Sequence, residues 1–193
     1  MLTEITRYLL SSVFSLYMIA VLCRFLLQIA RADFYNPLSQ FIVKITDPLL
    51  KPLRRVIPGF GGVDVASLVL ALLIQLAAMC LLILLGGFSL PPILSLVLWS
   101  IIGVLTQLLN IFFFALIIVI IVSWIAPGSY NPVLLLLRQI TEPVLAPFRA
   151  LIPPIGGLDL SPILVFFAIN IGKIVLHHTA ANLGMPTWMV FVM

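Results

Sequence analysis

Charged residues are scarce in this chain, and that scarcity excludes an ordinary soluble globular protein. Of its 193 residues only 8% are charged, while 63% are apolar. A soluble domain carries about 25% charged residues and about 45–50% apolar ones. The longest interruption between apolar runs, residues 30–64, is too short for a separate soluble domain.

Cysteines are few, and groupings typical of catalysis are absent from the sequence. Cys23 and Cys80 fall inside apolar runs and form no C-x-x-C pattern, so neither a disulfide framework nor a metal site is expected. No carboxylate lies inside an apolar run, and no nucleophile stands beside a base at a recognisable spacing. The sequence therefore predicts a protein that is not an enzyme and needs no cofactor.

Four apolar runs are long enough to cross a membrane, and they cover about residues 8–29, 65–85, 93–125 and 160–182. A hydrocarbon core about 30 Å thick requires about 20 residues of helix. The runs are continuous rather than alternating, which indicates helices and not barrel strands. We expect an all-α membrane protein with four transmembrane helices. A cleaved signal peptide ending at Ala30-Arg31-Ala32 is the alternative for the first run, which is long for one.

The chain contains an internal duplication with an offset of 95 residues. Residues 35–64 and 130–159 are identical at 14 of 30 positions without a gap. The duplication predicts two parallel tandem repeats, residues 1–90 and 91–193, each with two spans joined by a loop. The shared motif residues are Tyr35, Asn36, Pro37, Asp47, Pro48, Gly61, Gly62 and Asp64 in the first copy, and Tyr130, Asn131, Pro132, Glu142, Pro143, Gly156, Gly157 and Asp159 in the second.

The basic residues predict which side of the membrane the loops occupy. Cytoplasmic loops carry an excess of lysine and arginine, and seven of the ten such residues lie in the two repeated loops. We therefore expect both loops in the cytoplasm and both termini outside. The seven residues are Arg31, Lys44, Lys51, Arg54, Arg55, Arg138 and Arg149.

Each loop is expected to carry short amphipathic helices on the membrane surface, within about residues 37–56 and 132–151. Asn36 suits an N-cap, and each acid that precedes a proline in the Thr-acid-Pro motif predicts a second helix start. The sequence thus favours a pair of short helices in each loop. These helices would either fix the packing of the spans or bind anionic lipid and a protein partner. The candidate binding residues are Lys44, Lys51, Arg54, Arg55 and Arg149.

The Gly-Gly-x-Asp motif is expected to turn the chain from each surface helix into the next span. Its two glycines allow a tight turn. Asp64 and Asp159 stand where the second and fourth spans begin, so an N-cap role is favoured for both. A cation site is the alternative, but one carboxylate per loop is too little to hold a cation.

Several polar residues lie inside the apolar runs, where such residues either join helices or line a path. Ser15 corresponds to Asn110 in the duplication, and Gln75 corresponds to Asn170. Lys173 adds a charge to the same span as Asn170. The first reading is hydrogen bonding between helices, and the second is a polar path for an ion or small solute.

The duplicated motif resembles that of the YggT family, also called YlmG, and the resemblance covers nearly the whole chain. The block Y-N-P, T-[DE]-P-x-L-x-P-x-R and I-P-x-x-G-G-x-D lies within Tyr35 to Ala66 and within Tyr130 to Ser161. The resemblance implies a small multi-pass protein of the bacterial inner membrane, associated with cell division, envelope organisation and tolerance of osmotic stress. It implies no catalytic residues.

Two functions compete at this point. The first is a non-enzymatic membrane organiser whose basic loops bind anionic lipid and a protein of the division or envelope machinery. The alternative is an ion or solute conduit linked to osmotic stress, or the accessory subunit of one, built on Ser15, Gln75, Asn110, Asn170 and Lys173. A homo-oligomer is possible in either case, and no direct binding of nucleic acid is expected.

Overall fold

The computed structural model describes residues 2–126, 128–151, 159–186 and 189, and these residues form six α-helices. Four of the helices are long and apolar enough to cross a membrane, which agrees with the expected all-α membrane protein. The order of a long helix, a 20-residue helix and a long helix occurs twice. The helices are α1 (Leu2–Ile29), α2 (Pro37–Val56), α3 (Val65–Leu85), α4 (Ile93–Ile125), α5 (Pro132–Leu151) and α6 (Ser161–Asn182).

The long helices do not surround a common axis. α3 packs against both α1 and α4, and α6 packs against α4. Within the described residues, no Cα atom of α6 lies within 8 Å of a Cα atom of α1 or α3. The contact between the two halves is made mainly by α3 and α4, with smaller contributions from α1 with α4, α1 with α5 and α2 with α5.

Each loop contains one continuous helix, so the prediction of two short helices per loop is wrong. α2 runs through Pro48 and Pro52, and α5 runs through Pro143 and Pro147. These prolines lie on the exposed side of each helix, where the carbonyls that lose an amide partner remain accessible. Consequently Asp47 and Glu142 lie in mid-helix and do not cap a second helix.

Each surface helix packs against the long helices through a leucine at the same position of the duplication. Leu50 of α2 and Leu145 of α5, which correspond in the duplication, are both buried. Each lies in an apolar cluster with buried residues of the preceding and the following long helix. The clusters include Val21, Leu50, Leu70 and Ile74 in the first half, and Leu116, Leu145, Val165 and Ile169 in the second.

The starts of α2 and α5 meet at one end of the helix bundle, which we call the loop end. The Nδ2 of Asn36 donates a hydrogen bond of 2.8 Å to the carbonyl of Pro132, and the amide of Asp33 donates one of 3.1 Å to the Oε1 of Gln139. The Oδ1 of Asn36 also accepts from the amide of Leu38, as an N-cap residue does. The duplicated Tyr-Asn-Pro motifs therefore bring the two surface helices together at the same end of the molecule.

The chain turns from α2 into α3 at the first Gly-Gly motif. Gly61 and Gly62 have φ values of 60° and 82°, a region that favours glycine. Phe60 and Val63 bond to each other across this turn through their backbones. The second Gly-Gly motif, Gly156 and Gly157, lies outside the described residues.

Candidate membrane-surface site

Arg54 joins the end of α2 to the start of α3 through Asp64. The Nη2 of Arg54 lies 2.5 Å from the Oδ2 of Asp64, whose side chain is only 4% exposed. Ser67 also donates a hydrogen bond to this carboxylate. Burial raises the pKa of Asp64, but the hydrogen bonds from Arg54 and Ser67 outweigh it and hold that pKa below its ordinary value. Asp64 occupies the predicted N-cap position of α3, but its side chain makes no capping hydrogen bond to the helix amides.

The same pairing occurs between the corresponding residues of the second half. The Nε of Arg149 lies 2.8 Å from the Oδ2 of Asp159, and its Nη1 lies 2.5 Å from the Oε1 of Glu142. The Oδ1 of Asp159 accepts a hydrogen bond from the amide of Ser161 at the start of α6. Burial raises the pKa of Asp159, and the bonds from Ser161 and Arg149 more than offset it. Arg54 and Arg149 thus each tie a surface helix to the start of the next long helix, although both side chains are partly exposed.

Arg24 joins α1 to the middle of α2. Its buried Nη1 lies 2.7 Å from the Oδ1 of Asp47 and 2.7 Å from the Oγ1 of Thr46, and it also donates to the carbonyl of Val43. Lys51 approaches the other carboxylate oxygen of Asp47 at 2.8 Å. The bonds from Lys51 and Arg24, against the effect of burial, hold the pKa of Asp47 below its ordinary value. The Arg24 side chain is therefore held within the protein, with only 7% of its surface exposed.

The Arg24 arrangement has no counterpart in the second half. Val119 stands at the position that corresponds to Arg24, and Glu142, which corresponds to Asp47, pairs with Arg149 instead. Sequence reasoning missed the Arg24–Asp47 pair. The signal was available, because an arginine inside an apolar run requires a nearby acceptor.

Three basic side chains form a stripe on the outer side of α2, which we call the basic stripe and define as Lys44, Lys51 and Arg55. At 100° per residue these positions lie within about 40° of one another and opposite the buried Thr46. All three are exposed. Lys44 and Arg55 make no ion pair with any residue that the structure describes. The corresponding positions of α5 are the uncharged Gln139, Ala146 and Ala150, so the basic stripe belongs to the first half alone.

The structure does not bring the polar residues of the spans together. No hydrogen bond joins any two of Ser15, Gln75, Asn110, Asn170 and Lys173, all of which are described. Gln75 is buried, whereas Asn170 is exposed and donates to the carbonyl of Phe166 in its own helix at 2.8 Å. The Nζ of Lys173 lies 4.4 Å from the centre of the Phe113 ring, a cation–π contact with α4.

The described residues contain no grouping of three His, Cys, Asp or Glu side chains that could hold a metal ion. The loop end exposes basic and apolar side chains together. Among them are the basic stripe and the apolar side chains Phe41, Leu49 and Val56 of the same helix.

Comparison with known proteins shows the family of this chain. The family model described as CCB3/YggT matches it twice, over residues 3–85 and 98–180. The chain belongs to the CCB3/YggT family. The two matches are offset by 95 residues, as the duplication is, so each match covers one surface helix and the two long helices beside it.

Relatives across bacteria and plastids share this family. An uncharacterized protein of Pseudomonas aeruginosa is 59% identical over 181 residues, which cover 93% of this chain and 92% of the relative. The protein named YggT of Escherichia coli K12 is 39% identical over 189 residues, 94% of this chain and 96% of the relative. A chloroplastic YlmG homolog of Arabidopsis thaliana is 41% identical over 69 residues, 34% of this chain and 26% of the relative. No solved structure matches the chain.

Proposed function

We propose that this CCB3/YggT protein is a non-enzymatic organiser of the bacterial inner membrane. Its two parallel repeats hold both surface helices on the cytoplasmic side, with both termini outside. The basic stripe of α2 binds anionic lipid headgroups and docks a protein partner of the cell-division or envelope machinery. The α5 helix, which lacks the stripe, serves mainly to brace the second half.

The observation that carries this proposal is that the basic residues fall into two groups, one that attaches the surface helices to the long helices and one that is exposed. Arg24, Arg54 and Arg149 pair with carboxylates and hold α2 and α5 against the long helices. Lys44, Lys51 and Arg55 remain exposed on the other side of α2, and Lys51 also pairs with Asp47 of the same helix. An attached helix with an exposed cationic face is suited to binding anionic groups, at about 1 kcal/mol for each basic residue near an anionic surface.

Replacing the basic stripe tests the proposal. A photo-reactive amino acid at Phe41, which is exposed beside the stripe, is expected to link the protein in cells to a defined partner protein and to anionic lipid. The triple variant Lys44→Gln, Lys51→Gln, Arg55→Gln is expected to weaken this capture by about 3 kcal/mol, roughly 100-fold. Mass spectrometry of the adducts provides the measurement. Arg54 is left intact because it ties the last turn of α2 to α3 through Asp64.

The matched control removes basic charge from the loop end outside the stripe. Arg31→Gln combined with Arg138→Gln lowers the charge by two without touching α2. This control is expected to keep the adducts, because its charges do not belong to the stripe. If the triple variant links to the same partner and lipid as the native protein, the proposed role of the stripe is wrong.

The rival conduit receives no specific support from the contacts of the polar residues. Asn170 satisfies its amide within α6, and Lys173 rests on an aromatic ring. The conduit, or an accessory subunit of one, would be favoured instead if Lys173→Met changed the flux of an ion or solute in proteoliposomes.

A further inference from the structure

The two halves of the chain contact each other head to tail, and the reciprocal contact between the two outer long helices is absent from the structure. The second long helix of the first half, α3, packs against the first long helix of the second half, α4. In a two-fold arrangement the same contact would recur between α6 and α1. The structure has no such contact, since the two helices have no Cα atoms within 8 Å of each other.

The side of α6 that would make the missing contact is apolar and exposed. Met79 of α3 is 3% exposed in a cluster with residues of α4 and with Ala180, Met185 and Met189, and its counterpart in α6 is Ile174, which is 57% exposed. The same holds for Leu76 and Ile171: the first is partly buried against this cluster, and the second is exposed. The apolar character of the contact surface is thus kept in the second half, where no part of the described chain covers it.

The complementary side of α1 is exposed in the same way. Ser100 and Val104 of α4 are buried, and their counterparts in α1 are Ile5 and Leu9, both exposed. In the contact between the halves, the Oγ of Ser100 lies 3.7 Å from the Sδ of Met79. The counterparts of this touching pair are Ile5 and Ile174, at opposite flanks of one molecule.

A polar side chain on the same flank of α6, that of Asn170, is more stable against a protein neighbour than against lipid. Asn170 lies about 40° from Ile174 around the helix and is exposed inside the span. Its Oδ1 accepts no hydrogen bond from any described residue. Its counterpart in α3, Gln75, is buried. An amide that faces hydrocarbon with an unused acceptor is costly, so a protein surface is the better cover.

We infer that a second copy of this chain occupies these flanks, with α6 of one copy packed on α1 of the next as α3 packs on α4 within the chain. Head-to-tail contacts of this kind close into a ring when the rotation between repeats allows it, and two chains with four repeats make the smallest such ring. In that assembly Ile5 of one copy lies against Ile174 of its neighbour. This inference stands independently of the proposed docking role of the basic stripe.

Disulfide cross-linking between copies tests the inference. In a Cys23→Ala, Cys80→Ala background, the pair Ile5→Cys and Ile174→Cys is oxidised in native membranes with copper phenanthroline and oxygen. A disulfide needs Cα atoms about 4.4–6.8 Å apart, and α1 and α6 of one chain are farther apart than 8 Å. The expected product is therefore a linked dimer between chains, seen on a non-reducing gel and reversed by thiol.

Three controls make the result decisive. Ile5→Cys with Ala168→Cys places the second thiol on an exposed part of α6 about 120° around the helix, and it is expected to give no dimer. Neither single variant is expected to link to itself, whereas co-expressed single variants with different tags should link to each other. The inference is overturned if the Ile5→Cys, Ile174→Cys protein stays monomeric in membranes. It is equally overturned if Ile174→Cys alone forms the dimer, since that would indicate a symmetric α6–α6 contact.

Discussion

At the scale of the residue, the Arg54–Asp64 and Arg149–Asp159 pairs correspond in the duplication but differ in their exposure to solvent. Arg54 faces a carboxylate that is almost fully buried, whereas Arg149 faces Asp159, which is 37% exposed, and Glu142, which is more exposed still. Removing one partner of a buried ion pair leaves an uncompensated charge and costs several kcal/mol, while an exposed pair contributes about 0–1 kcal/mol. The same substitution should therefore have unequal effects in the two halves.

Arg54→Gln is expected to destabilise the protein by about 1–3 kcal/mol, because Asp64 keeps only its bond to Ser67. Arg149→Gln is expected to cost about 0.2–1 kcal/mol. Unfolding of the purified protein in mild detergent at neutral pH, where both aspartates are ionised, measures the difference. The double variant Arg54→Gln, Asp64→Asn should recover part of the loss. Equal effects of the two arginine substitutions would contradict the structural role assigned to the Arg54–Asp64 pair.

At the scale of the element, α2 is stabilised by contacts at its start, its middle and its last turn. Asn36 caps its start, Arg24 and Leu50 hold its middle, and Arg54 ties its last turn to α3. Its prolines do not break it because they face outward, and Thr46 adds a bond to the carbonyl of Ile42 within the preceding turn. α5 has the equivalent threonine bond, from Thr141 to Leu137, but no partner from α4 that corresponds to Arg24.

Arg24→Val, which installs the residue found at the corresponding position of the second half, is expected to loosen α2 alone. Asp47 would retain Lys51 as its partner, while the link to α1 would be lost. Hydrogen exchange followed by mass spectrometry should show faster exchange of the α2 amides and unchanged exchange of α5. Unchanged protection of α2 would mean that Leu50 and Arg54 suffice to hold the helix.

The sequence predicted the long helices well, because they depend on the composition and length of the apolar runs. Four apolar runs required four long helices, and the bounds of α3 agree with the predicted run. The errors concern residues whose partner lies far away in the sequence. Asp47 and Asp64 were assigned local roles at the start of a helix, but each pairs with an arginine of another element. Spacing along one element cannot reveal such pairs. The predicted ranges of the surface helices agree with α2 and α5, but the continuity of each helix was missed, because prolines were counted as breaks without regard to the face they occupy.

At the scale of the whole molecule, the two halves share a plan and differ in what they expose. Equivalent leucines, arginines and aspartates attach α2 and α5 to the long helices, and the starts of the two helices touch at the loop end. The first half carries the basic stripe, and the second half carries the exposed apolar flank of α6. This division supports an organiser that meets an acidic or lipid surface at the loop end and other copies of itself along its flanks.

The central claim is that both surface helices face the cytoplasm, and thiol labelling of spheroplasts tests it most directly. In a Cys23→Ala, Cys80→Ala background, single cysteines replace Lys44 in α2, Gln139 in α5 and Leu90 in the turn between α3 and α4, all of which are exposed. With a membrane-impermeant maleimide, only Leu90→Cys is expected to react in intact spheroplasts. Lys44→Cys and Gln139→Cys should react only after the membrane is opened. Labelling of either loop position from outside would contradict the account, and labelling of one but not the other would show that the two surface helices lie on opposite sides of the membrane.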